Sequence, residues 1–334
     1  MDFDRNIWIV EECINPSTEY YILPALKILG FEDRIRILNS PPSKILDSNI
    51  TIFFVRYLNR DWNEFVEKNK RKIKKIIYFM DDDLFDLKSW QGLPLRYIKK
   101  IYLKAFRWKK WLSKVNFDFF VSTEYLAEKY QKLNPIILPP YPIFNTSLLN
   151  QNNKGKGDII VFYHGTASHK KEIYWLYDIV KATTEKNENI VYEFIGNNSI
   201  YNKFKSLERV IVVYPMKWNL YKNFLLTKNR HIGLVPILSN NFNRARSYTK
   251  FFEISACGGV GIYSKESCYK SIISDNTDGI LVPNDKERWI ETILRLAHDN
   301  SYRLKLYFNS IEKLKHLKEF AEKAYKENLL RRFE

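Results

Sequence analysis

Cysteine is scarce in this sequence, and the cysteines that are present lie far apart. Cys13, Cys257 and Cys268 are odd in number, and their spacing matches neither a disulfide framework nor a metal site. This scarcity predicts a reducing, cytosolic environment. The sequence also lacks a basic-then-apolar segment at its start and any apolar run long enough to span a bilayer. We therefore expect a soluble or peripheral protein.

Acidic residues are too few to balance the basic ones. The formal net charge is +16, so a negatively charged partner is expected: nucleic acid, an anionic membrane surface or a phosphorylated small molecule. The basic residues are scattered and form no recognised nucleic-acid-binding motif, which argues against nucleic acid. Hydrophobic residues make up 45% of the chain, which is enough to build a full core and argues against global disorder.

Short apolar strands alternate with amphipathic helices through nearly the whole chain. This pattern is typical of parallel sheets that are covered by helices on both faces. The predicted strands lie at 6–10, 34–38, 50–55, 75–80, 117–122, 158–164, 190–196, 209–215, 231–237, 259–264 and 279–283. A segment rich in Pro and Asn, then in Gly and Lys, separates the first five strands from the rest.

The sequence thus predicts an α/β protein with two Rossmann-like domains that face each other across a cleft. We place the N-terminal domain at 1–145, a linker at 146–157 and the second domain at 158–310. Residues 311–334 are predicted to form a C-terminal helix that packs back on the first domain. In such sheets ligands bind beyond the carboxyl ends of the strands, where the strand order reverses. Functional residues are therefore expected directly after strands.

Cations are concentrated where a helix is predicted to begin, after the strand at 231–237. Arg244, Arg246 and Lys250 fall within seven positions, although cations are unfavourable at a helix N-terminus. This mismatch indicates an anionic ligand such as a phosphate, which helix N-termini bind. Ser247 is the predicted N-cap, and Gly258 is the predicted left-handed residue that ends the helix.

Other polar residues near the same strand ends are candidates for the same ligand. Glu253 could accept hydrogen bonds from a diol such as ribose, although a surface pair with Lys250 is the alternative. His164 ends a predicted strand directly before Gly165 and Thr166, and it could contact a phosphate or a sugar. A histidine buried in the core is the competing interpretation of His164. Asn243 could add a polar contact.

Three adjacent carboxylates, residues 81–83, follow the predicted strand at 75–80. They repel one another, so they need a cation, a hydroxyl donor or free solvent. We interpret Asp81 or Asp82 as the catalytic group that orients or deprotonates a substrate hydroxyl. A metal-binding Asp-x-Asp pair and a solvated acidic turn are the alternatives.

Residues 95–114 contain eight Lys or Arg and no acid. At helical spacing the cations, among them Lys100, Lys104 and Arg107, gather on one face, and apolar residues gather on the opposite one. Such a helix can lie on an anionic membrane surface. We expect the apolar face to pack into the domain and the basic face to meet headgroups or a lipid pyrophosphate.

The stretch SYTKFFEISACGGVGIYSKESCYKSIISDNTDGILVPND, at 247–285, resembles the C-terminal signature of the group 1 (family 4) retaining glycosyltransferases of the GT-B fold. The positions that carry the signature are Ser255, Ala256, Gly258, Gly259, Val260, Ile273, Asp275, Gly279, Leu281 and Val282. The segments at 162–180 and 192–198 resemble the first elements of the family's donor domain. The resemblance covers residues 158–310, and stretches like the one at 81–84 occur in a sub-group of these enzymes.

This resemblance implies a donor in the C-terminal half and an acceptor in the N-terminal half. The donor would be a nucleotide-diphosphate sugar, transferred with retention and without a metal or other cofactor. Glu253 would hold the ribose, and Arg246 and Lys250 would balance the diphosphate. The family pattern has two glutamates eight positions apart, and the first of them contacts the donor sugar. In this sequence the second is Glu253, but the position of the first is occupied by Ala245.

The sequence thus predicts a glycosyltransferase that works at the cytoplasmic face of the membrane. Its acceptor would be a saccharide or a lipid-linked molecule in surface polysaccharide synthesis (lipopolysaccharide, O-antigen or capsule). The alternatives are a transferase or epimerase of the same fold that uses another activated sugar, such as a CMP-linked one, or a non-catalytic protein. A non-catalytic chain would be a scaffold, which the missing glutamate favours, or would bind nucleic acid or another anion.

Overall fold

The computed structural model of the chain describes residues 6–45, 48–144, 157–165, 169–227 and 230–333. Contacts divide the chain into two compact units. The N-terminal unit consists of Met1–Ile143, Asn240–Ser247 and Leu317–Glu334, and the C-terminal unit consists of Phe144–Ser239 and Tyr248–His316. The predicted linker at 146–157 lies outside the described residues, apart from its last residue.

The N-terminal unit contains a parallel sheet of six strands in the order β2-β1-β3-β4-β5-β6. The strands are β1 (Ile7–Val10), β2 (Ile35–Leu38), β3 (Ile50–Val55), β4 (Ile73–Met80), β5 (Asp118–Val121) and β6 (Ile136–Ile137). The short strand β6 was not predicted. The chain order reverses between β1 and β3, which pair in parallel with each other. Strand β3 is apolar and buried along its whole length, as expected for a strand covered on both faces.

Short helices connect these strands. They are α1 (Leu23–Ile28), α2 (Arg60–Lys68), α3 (Leu95–Lys104), α4 (Lys109–Val115) and α5 (Glu124–Lys129). A π-helical turn at Thr18–Ile22 precedes α1, and 3₁₀ turns occupy Glu32–Arg34, Leu87–Trp90, Phe106–Trp108 and Gln131–Leu133. The basic segment at 95–114 was predicted as one helix, and this prediction is wrong. The backbone leaves helical geometry at the fully buried Ala105 (φ −132°), so the segment forms α3, a 3₁₀ turn and α4.

The C-terminal unit contains a second parallel sheet of six strands, in the order β12-β11-β10-β7-β8-β9. The strands are β7 (Ile159–Tyr163), β8 (Ile190–Ile195), β9 (Val210–Val213), β10 (Ile232–Val235), β11 (Val260–Ser264) and β12 (Ile280–Val282). Here the order reverses between β7 and β10, as in the doubly wound nucleotide-binding fold. The two parallel sheets confirm the predicted α/β class.

The helices that cover this sheet are α6 (Lys170–Trp175), α7 (Tyr177–Lys186), α8 (Asn198–Phe204), α9 (Trp218–Leu225), α10 (Thr249–Ala256) and α11 (Lys286–His298). Helix α10 lies close to β10 at Gly233. A side chain at this position would clash, since its Cβ atom would stand 2.4 Å from the side chain of Ile254 on α10. The helix ends at Ala256, and the φ of 83° at Gly258, two residues further on, confirms the predicted left-handed residue. The predicted N-cap is wrong. The helix begins at Thr249, and its N-cap residue, Tyr248, makes no side-chain capping bond.

Each unit has its own apolar core. In the N-terminal unit, Phe242 and Ala245 belong to the same buried cluster as residues of the sheet such as Trp8 and Phe54. The segment Asn240–Ser247, which the sequence analysis assigned to the second domain, therefore belongs to the N-terminal unit by its packing. The last helix, α12 (Asn300–Phe333), contributes its first part to the C-terminal unit and its second part, from Leu317, to the N-terminal unit.

Candidate functional site

The carboxylates at 81–83 follow β4, and they are neutralised by two separate cations. Asp83 is fully buried and accepts hydrogen bonds from Lys129 Nζ (2.5 Å) and Tyr130 Oη (2.5 Å), and also from Ser89. These bonds attach α5 and a neighbouring 3₁₀ turn to the end of β4. Asp83 therefore has a structural role, and the sequence analysis did not identify its cation.

Asp81 and Asp82 share the other cation, Arg56. The guanidinium Nε lies 3.2 Å from Asp81 Oδ1, and Nη2 lies 2.5 Å from Asp82 Oδ2. Ser17 Oγ donates a hydrogen bond to Asp81 Oδ2 at 2.6 Å. Arg56 directly follows β3 with a left-handed φ of 64°, so the cluster lies at the carboxyl edge of the sheet, beside the reversal of strand order.

The environment of Asp81 suits a group that exchanges a proton. Burial raises the pKa of Asp81, the Arg56 guanidinium opposes this shift, and the neighbouring charge of Asp82 adds to it. A carboxylate whose pKa is raised toward neutrality is a better general base than an ordinary one. The side chain of Asp81 is 15% exposed and that of Asp82 is 9% exposed, so Asp81 is the more accessible of the two.

The structure brings Arg246 close to this acidic cluster within the N-terminal unit. Arg56 Nη2 donates to Tyr97 Oη at 2.9 Å, and the Tyr97 ring meets the Phe242 ring edge to face. The guanidinium of Arg246 stacks over Phe242 at 5.2 Å from the ring centroid. A predicted catalytic group, Asp82, and a predicted diphosphate-binding group, Arg246, therefore contact the same short chain of side chains.

Two polar atoms beside this chain have no partner. Within the described part of the chain, Arg246 Nε and Ser247 Oγ are buried and make no hydrogen bond. Buried polar groups without a partner are rare in native proteins and call for an explanation such as a ligand. Asn243 is also buried, and the neighbouring Arg244 is exposed and stacks over Tyr125.

The C-terminal unit contains a second polar cluster, at the end of β7. His164 directly follows β7, and its Nε2 lies 3.0 Å from Glu193 Oε1 on β8. The fully buried Arg230 donates to the same carboxylate oxygen. Burial, together with the positive charge of Arg230, lowers the pKa of His164 to about 4 despite the opposing hydrogen bond to Glu193. The imidazole is therefore neutral at pH 7, and its Nε2–H donates to the carboxylate.

The predicted ribose ligand, Glu253, belongs to this cluster. Glu253 Oε2 accepts hydrogen bonds from Tyr221 Oη (2.7 Å) and Lys250 Nζ (2.6 Å), and the Tyr221 hydroxyl also contacts His164 Nδ1 (3.2 Å). Nε2 of His164 thus has an internal partner, as in the buried interpretation, whereas Nδ1 competes with Glu253 for the one hydroxyl proton of Tyr221. Lys250 remains 31% exposed, so it can contact an anion while it stays paired with Glu253.

The remaining predicted site residues are placed as follows. Gly165 follows His164, and a Cβ atom there would stand 2.6 Å from the ring of Tyr163. Thr166 lies outside the described residues. In the N-terminal unit, Lys100 and Lys104 are both paired with Glu12, whereas Arg107 is exposed and stacks on Trp108.

The sequence analysis missed several members of both clusters. They are Ser17, Arg56, Tyr97, Lys129, Glu193, Tyr221 and Arg230. Arg56 follows an apolar strand directly, so the rule that located the aspartates could have found it. Arg230 has no such local signal, because it precedes its strand and its partners lie far away in the sequence.

Two general properties of the described residues also bear on the site. No group of three or more His, Cys, Asp or Glu side chains among them lies close enough to hold a metal ion. The metal interpretation of Asp81 and Asp83 has little support, since the two are held by different cations. Over the same residues, no helix is long and apolar enough to cross a membrane.

Comparison with known proteins identifies the fold. No protein-family model matches the sequence, and a search of curated proteins finds no match. Among solved structures, TarM of S. aureus, crystallised with UDP and saccharides, is 13% identical with a TM-score of 0.59 and covers 84% of this chain. The chain spans about half (56%) of the length of that protein.

Two other structures match along nearly their whole length. A glycosyltransferase from Rickettsia africae ESF-5 is 12% identical with a TM-score of 0.59, over 96% of this chain and 97% of that one. HepE from Anabaena, in complex with UDP and glucose, is 8% identical with a TM-score of 0.57, over 96% and 95%. The chain therefore has the GT-B fold of these glycosyltransferases.

Proposed function

We propose that this protein is a glycosyltransferase that transfers a sugar from a nucleotide-diphosphate sugar, with UDP as the carrier, to a saccharide or lipid-linked acceptor. The observation that carries the proposal is the contact chain from Asp82 through Arg56, Tyr97 and Phe242 to Arg246. It joins a carboxylate that can orient a hydroxyl to a cation with an unpaired, buried Nε–H. Fold-level similarity to enzymes crystallised with UDP supports the nature of the donor.

In this proposal the cations stabilise the charge that develops on the leaving diphosphate. Arg246 and Lys250 supply positive charge, and Ser247 supplies a hydroxyl without a protein partner. Glu253 already accepts two hydrogen bonds at Oε2, so a bond from the ribose would add to these. Asp81 or Asp82, which share Arg56, orients or deprotonates the acceptor hydroxyl. We further propose that the transfer retains the anomeric configuration, requires no metal and serves surface polysaccharide synthesis.

Replacement of Arg246 tests the donor site. Arg246→Ala should weaken UDP binding about tenfold or more, because a charge-assisted hydrogen bond to the diphosphate is lost. Isothermal titration calorimetry measures the affinity. Arg244→Ala is the matched control, since Arg244 lies two positions away and is exposed on Tyr125. Equal UDP affinity of the Arg246 variant and the unmodified protein would contradict the proposal. Tighter binding of CMP than of UDP would favour the alternative donor.

We also propose that the protein works at the cytoplasmic membrane surface and binds it through the face formed by α3 and the turn before it. Leu87 and Leu95 are 53% and 84% exposed, and Tyr102 is 48% exposed. With Trp90 and Ile98 they line an open groove of about 480 Å³. Residues 87–116 contain nine Lys or Arg and no acid, and one of these cations, Lys99, lines the groove. An apolar surface bordered by cations suits an anionic lipid surface.

This surface differs from the predicted one. Lys100 and Lys104 are paired with Glu12, whereas Arg96 and Lys99 are exposed next to the apolar side chains. The helix was expected to bury its apolar side and present only its cations. It buries Ile101 and leaves a second apolar stripe, which includes Leu95 and Tyr102, in solvent.

A further inference from the structure

Tyr221 on α9 contacts both members of the Lys250–Glu253 pair on α10. Its hydroxyl donates to Glu253 Oε2 at 2.7 Å, and the same oxygen accepts from Lys250 Nζ at 2.6 Å. Lys250 Nζ also lies over the Tyr221 ring, 5.6 Å from its centroid, which is within the range of a cation–π contact. All three residues belong to the C-terminal unit. Tyr221 therefore contacts the carboxylate through its hydroxyl and the ammonium through its ring.

The Tyr221 hydroxyl has one proton and two acceptors within reach. His164 Nε2–H donates to Glu193, so His164 Nδ1 can only accept, and it lies 3.2 Å from Tyr221 Oη. Glu253 Oε2 is closer and belongs to a carboxylate, which makes the stronger hydrogen bond. Burial raises the pKa of Tyr221 well above its usual range, so the hydroxyl keeps its proton at neutral pH. The hydroxyl therefore donates to Glu253.

Lys250 is the member of the pair that a ligand can reach. Its side chain is 31% exposed, whereas that of Glu253 is 6% exposed. An ammonium group has three N–H donors, so the bond to Glu253 leaves donors for an anion. A lysine side chain is flexible and loses rotamer freedom when an anion fixes it. A lysine that is already held loses less of this freedom on binding.

The hold on Lys250 depends on a carboxylate that is itself fixed. Glu253 is buried, and it lies three positions after Lys250 on the same helix, where side chains are neighbours. The Tyr221 hydroxyl connects the carboxylate oxygen that Lys250 uses to a second helix, α9. Without this hydroxyl, the carboxylate and the ammonium would be attached to α10 alone and would be less well ordered.

We propose that Tyr221 is a positioning residue of the donor site, which holds the Lys250 ammonium in place for the diphosphate of the donor. It acts through the Glu253 carboxylate and does not touch the donor itself. This inference rests on the proposed function, in which Lys250 supplies positive charge to the diphosphate. It deepens that function, because it identifies the side chain that orders the lysine before the donor binds.

A double-mutant cycle on the full chain tests whether Tyr221 acts through Lys250. Tyr221→Phe keeps the ring and removes only the hydroxyl, so UDP binding should weaken about threefold or more. Lys250→Met removes the ammonium and should weaken UDP binding about tenfold. In the Lys250→Met background, Tyr221→Phe should change the affinity by less than about twofold, because the group that it positions is gone. Isothermal titration calorimetry measures the affinities.

The matched control removes a buried tyrosine hydroxyl that is bonded elsewhere in the same unit. Tyr192 lies on β8, it is buried, and its hydroxyl is hydrogen-bonded to Thr183 Oγ1 at 2.6 Å. Tyr192→Phe loses a buried hydrogen bond as Tyr221→Phe does, but it should change UDP affinity by less than about twofold. Thermal unfolding of both variants compares their stability.

Acetylation of lysines with acetic anhydride gives a second readout that does not need UDP. An amine attacks the reagent only after it has left its carboxylate and lost a proton. Lys250 should therefore react about twofold faster or more in Tyr221→Phe than in the unmodified protein. Mass spectrometry of peptides measures the rates. Lys286, which is paired with Asp178 at the surface, is the internal reference and should react equally in both proteins.

The two readouts distinguish this inference from the proposed function. If UDP binds, and Tyr221→Phe weakens binding not at all or by the same factor with and without Lys250, Tyr221 does not position the lysine and the transferase proposal is unaffected. If UDP does not bind the unmodified protein, the donor assignment fails, and the acetylation rates alone decide whether Tyr221 holds Lys250. Equal rates for Lys250 in the unmodified protein and in Tyr221→Phe would overturn the inference in either case.

Discussion

At the scale of single residues, buried charges of the C-terminal unit are paired in a continuous chain of hydrogen bonds. Glu193 is held by Arg230, Glu253 is held by Lys250, and Tyr221 and His164 lie between the two carboxylates. Buried ion pairs cost desolvation energy, and removing one partner leaves an uncompensated charge. The chain therefore constrains the end of β7 and the start of α10 together.

The neutral state of His164 gives a pH dependence of stability. Its pKa in the folded protein is about 4, below the ordinary value of 6.5, because of burial. Below about pH 6.5 the imidazole of the unfolded chain binds a proton, whereas that of the folded protein stays neutral down to about pH 4. The free energy of unfolding should therefore decrease between pH 7 and pH 5, by about 2 kcal/mol from this group. Urea unfolding at pH 7 and pH 5 measures the loss.

Two variants assign this pH effect to His164. His164→Gln should show a smaller loss of stability between the two pH values than the unmodified protein. His298→Gln is the control, because His298 is exposed at the end of α11. His231 is half-buried, and desolvation lowers its pKa to about 4 as well, so part of the loss should persist in both variants. An unchanged pH dependence in His164→Gln would contradict the assignment.

At the scale of elements, the chain passes from the N-terminal unit to the C-terminal unit just before α10. Asn240–Ser247 packs with the N-terminal unit, and α10 packs with the C-terminal unit. Phe242 anchors the segment in the apolar core, and Arg246 stacks on its ring. Ala245, where the sequence departs from the family signature, is fully buried in the same apolar cluster. A charged side chain at this position would lose its hydration.

Restoring the glutamate of the family pattern should therefore destabilise the protein. Ala245→Glu should reduce the unfolding free energy by about 3 kcal/mol or more, because it places a charged side chain in the apolar core. Thermal or urea unfolding measures the change. Arg244→Glu, at the exposed neighbouring position, should change stability by less than about 1 kcal/mol. Similar stability of the two variants would show that position 245 tolerates a carboxylate.

At the scale of the whole molecule, the net charge of +16 is distributed unevenly. Nine of the cations lie within residues 87–116, a stretch without a single acid, and this stretch also carries the exposed Leu87, Leu95 and Tyr102. Apolar insertion and electrostatic attraction would then act at one surface, which is how peripheral proteins bind anionic bilayers.

Vesicle flotation tests this surface. The protein should float with vesicles that contain phosphatidylglycerol and much less with pure phosphatidylcholine, and binding should weaken as salt screens the charges. Leu95→Glu should reduce binding about tenfold or more, because it removes apolar insertion and adds repulsion. Leu220→Glu is the matched control, since Leu220 is 54% exposed in the C-terminal unit. Equal binding of the two variants would exclude the α3 face as the docking surface.

The fold was largely predictable because strands of parallel sheets are continuous apolar runs. Runs such as ITIFFV, and IVYEFI with its single carboxylate Glu193, appear in the structure as the fully buried strands β3 and β8. The rule that polar residues after strands form sites also located Asp81, Asp82 and His164. It could not supply their partners. Arg56, Ser17 and Arg230 come from distant segments, and only the strand order brings them to the carboxylates.

The α/β class, the two sheets and the left-handed turn at Gly258 after α10 were already readable from the sequence, since apolar periodicity and glycine conformation act locally. Tertiary structure alone decided which charges are paired, because pairing depends on side chains that are far apart along the chain. For this reason Lys100 and Lys104 hold Glu12, and Glu253 holds Lys250 and Tyr221.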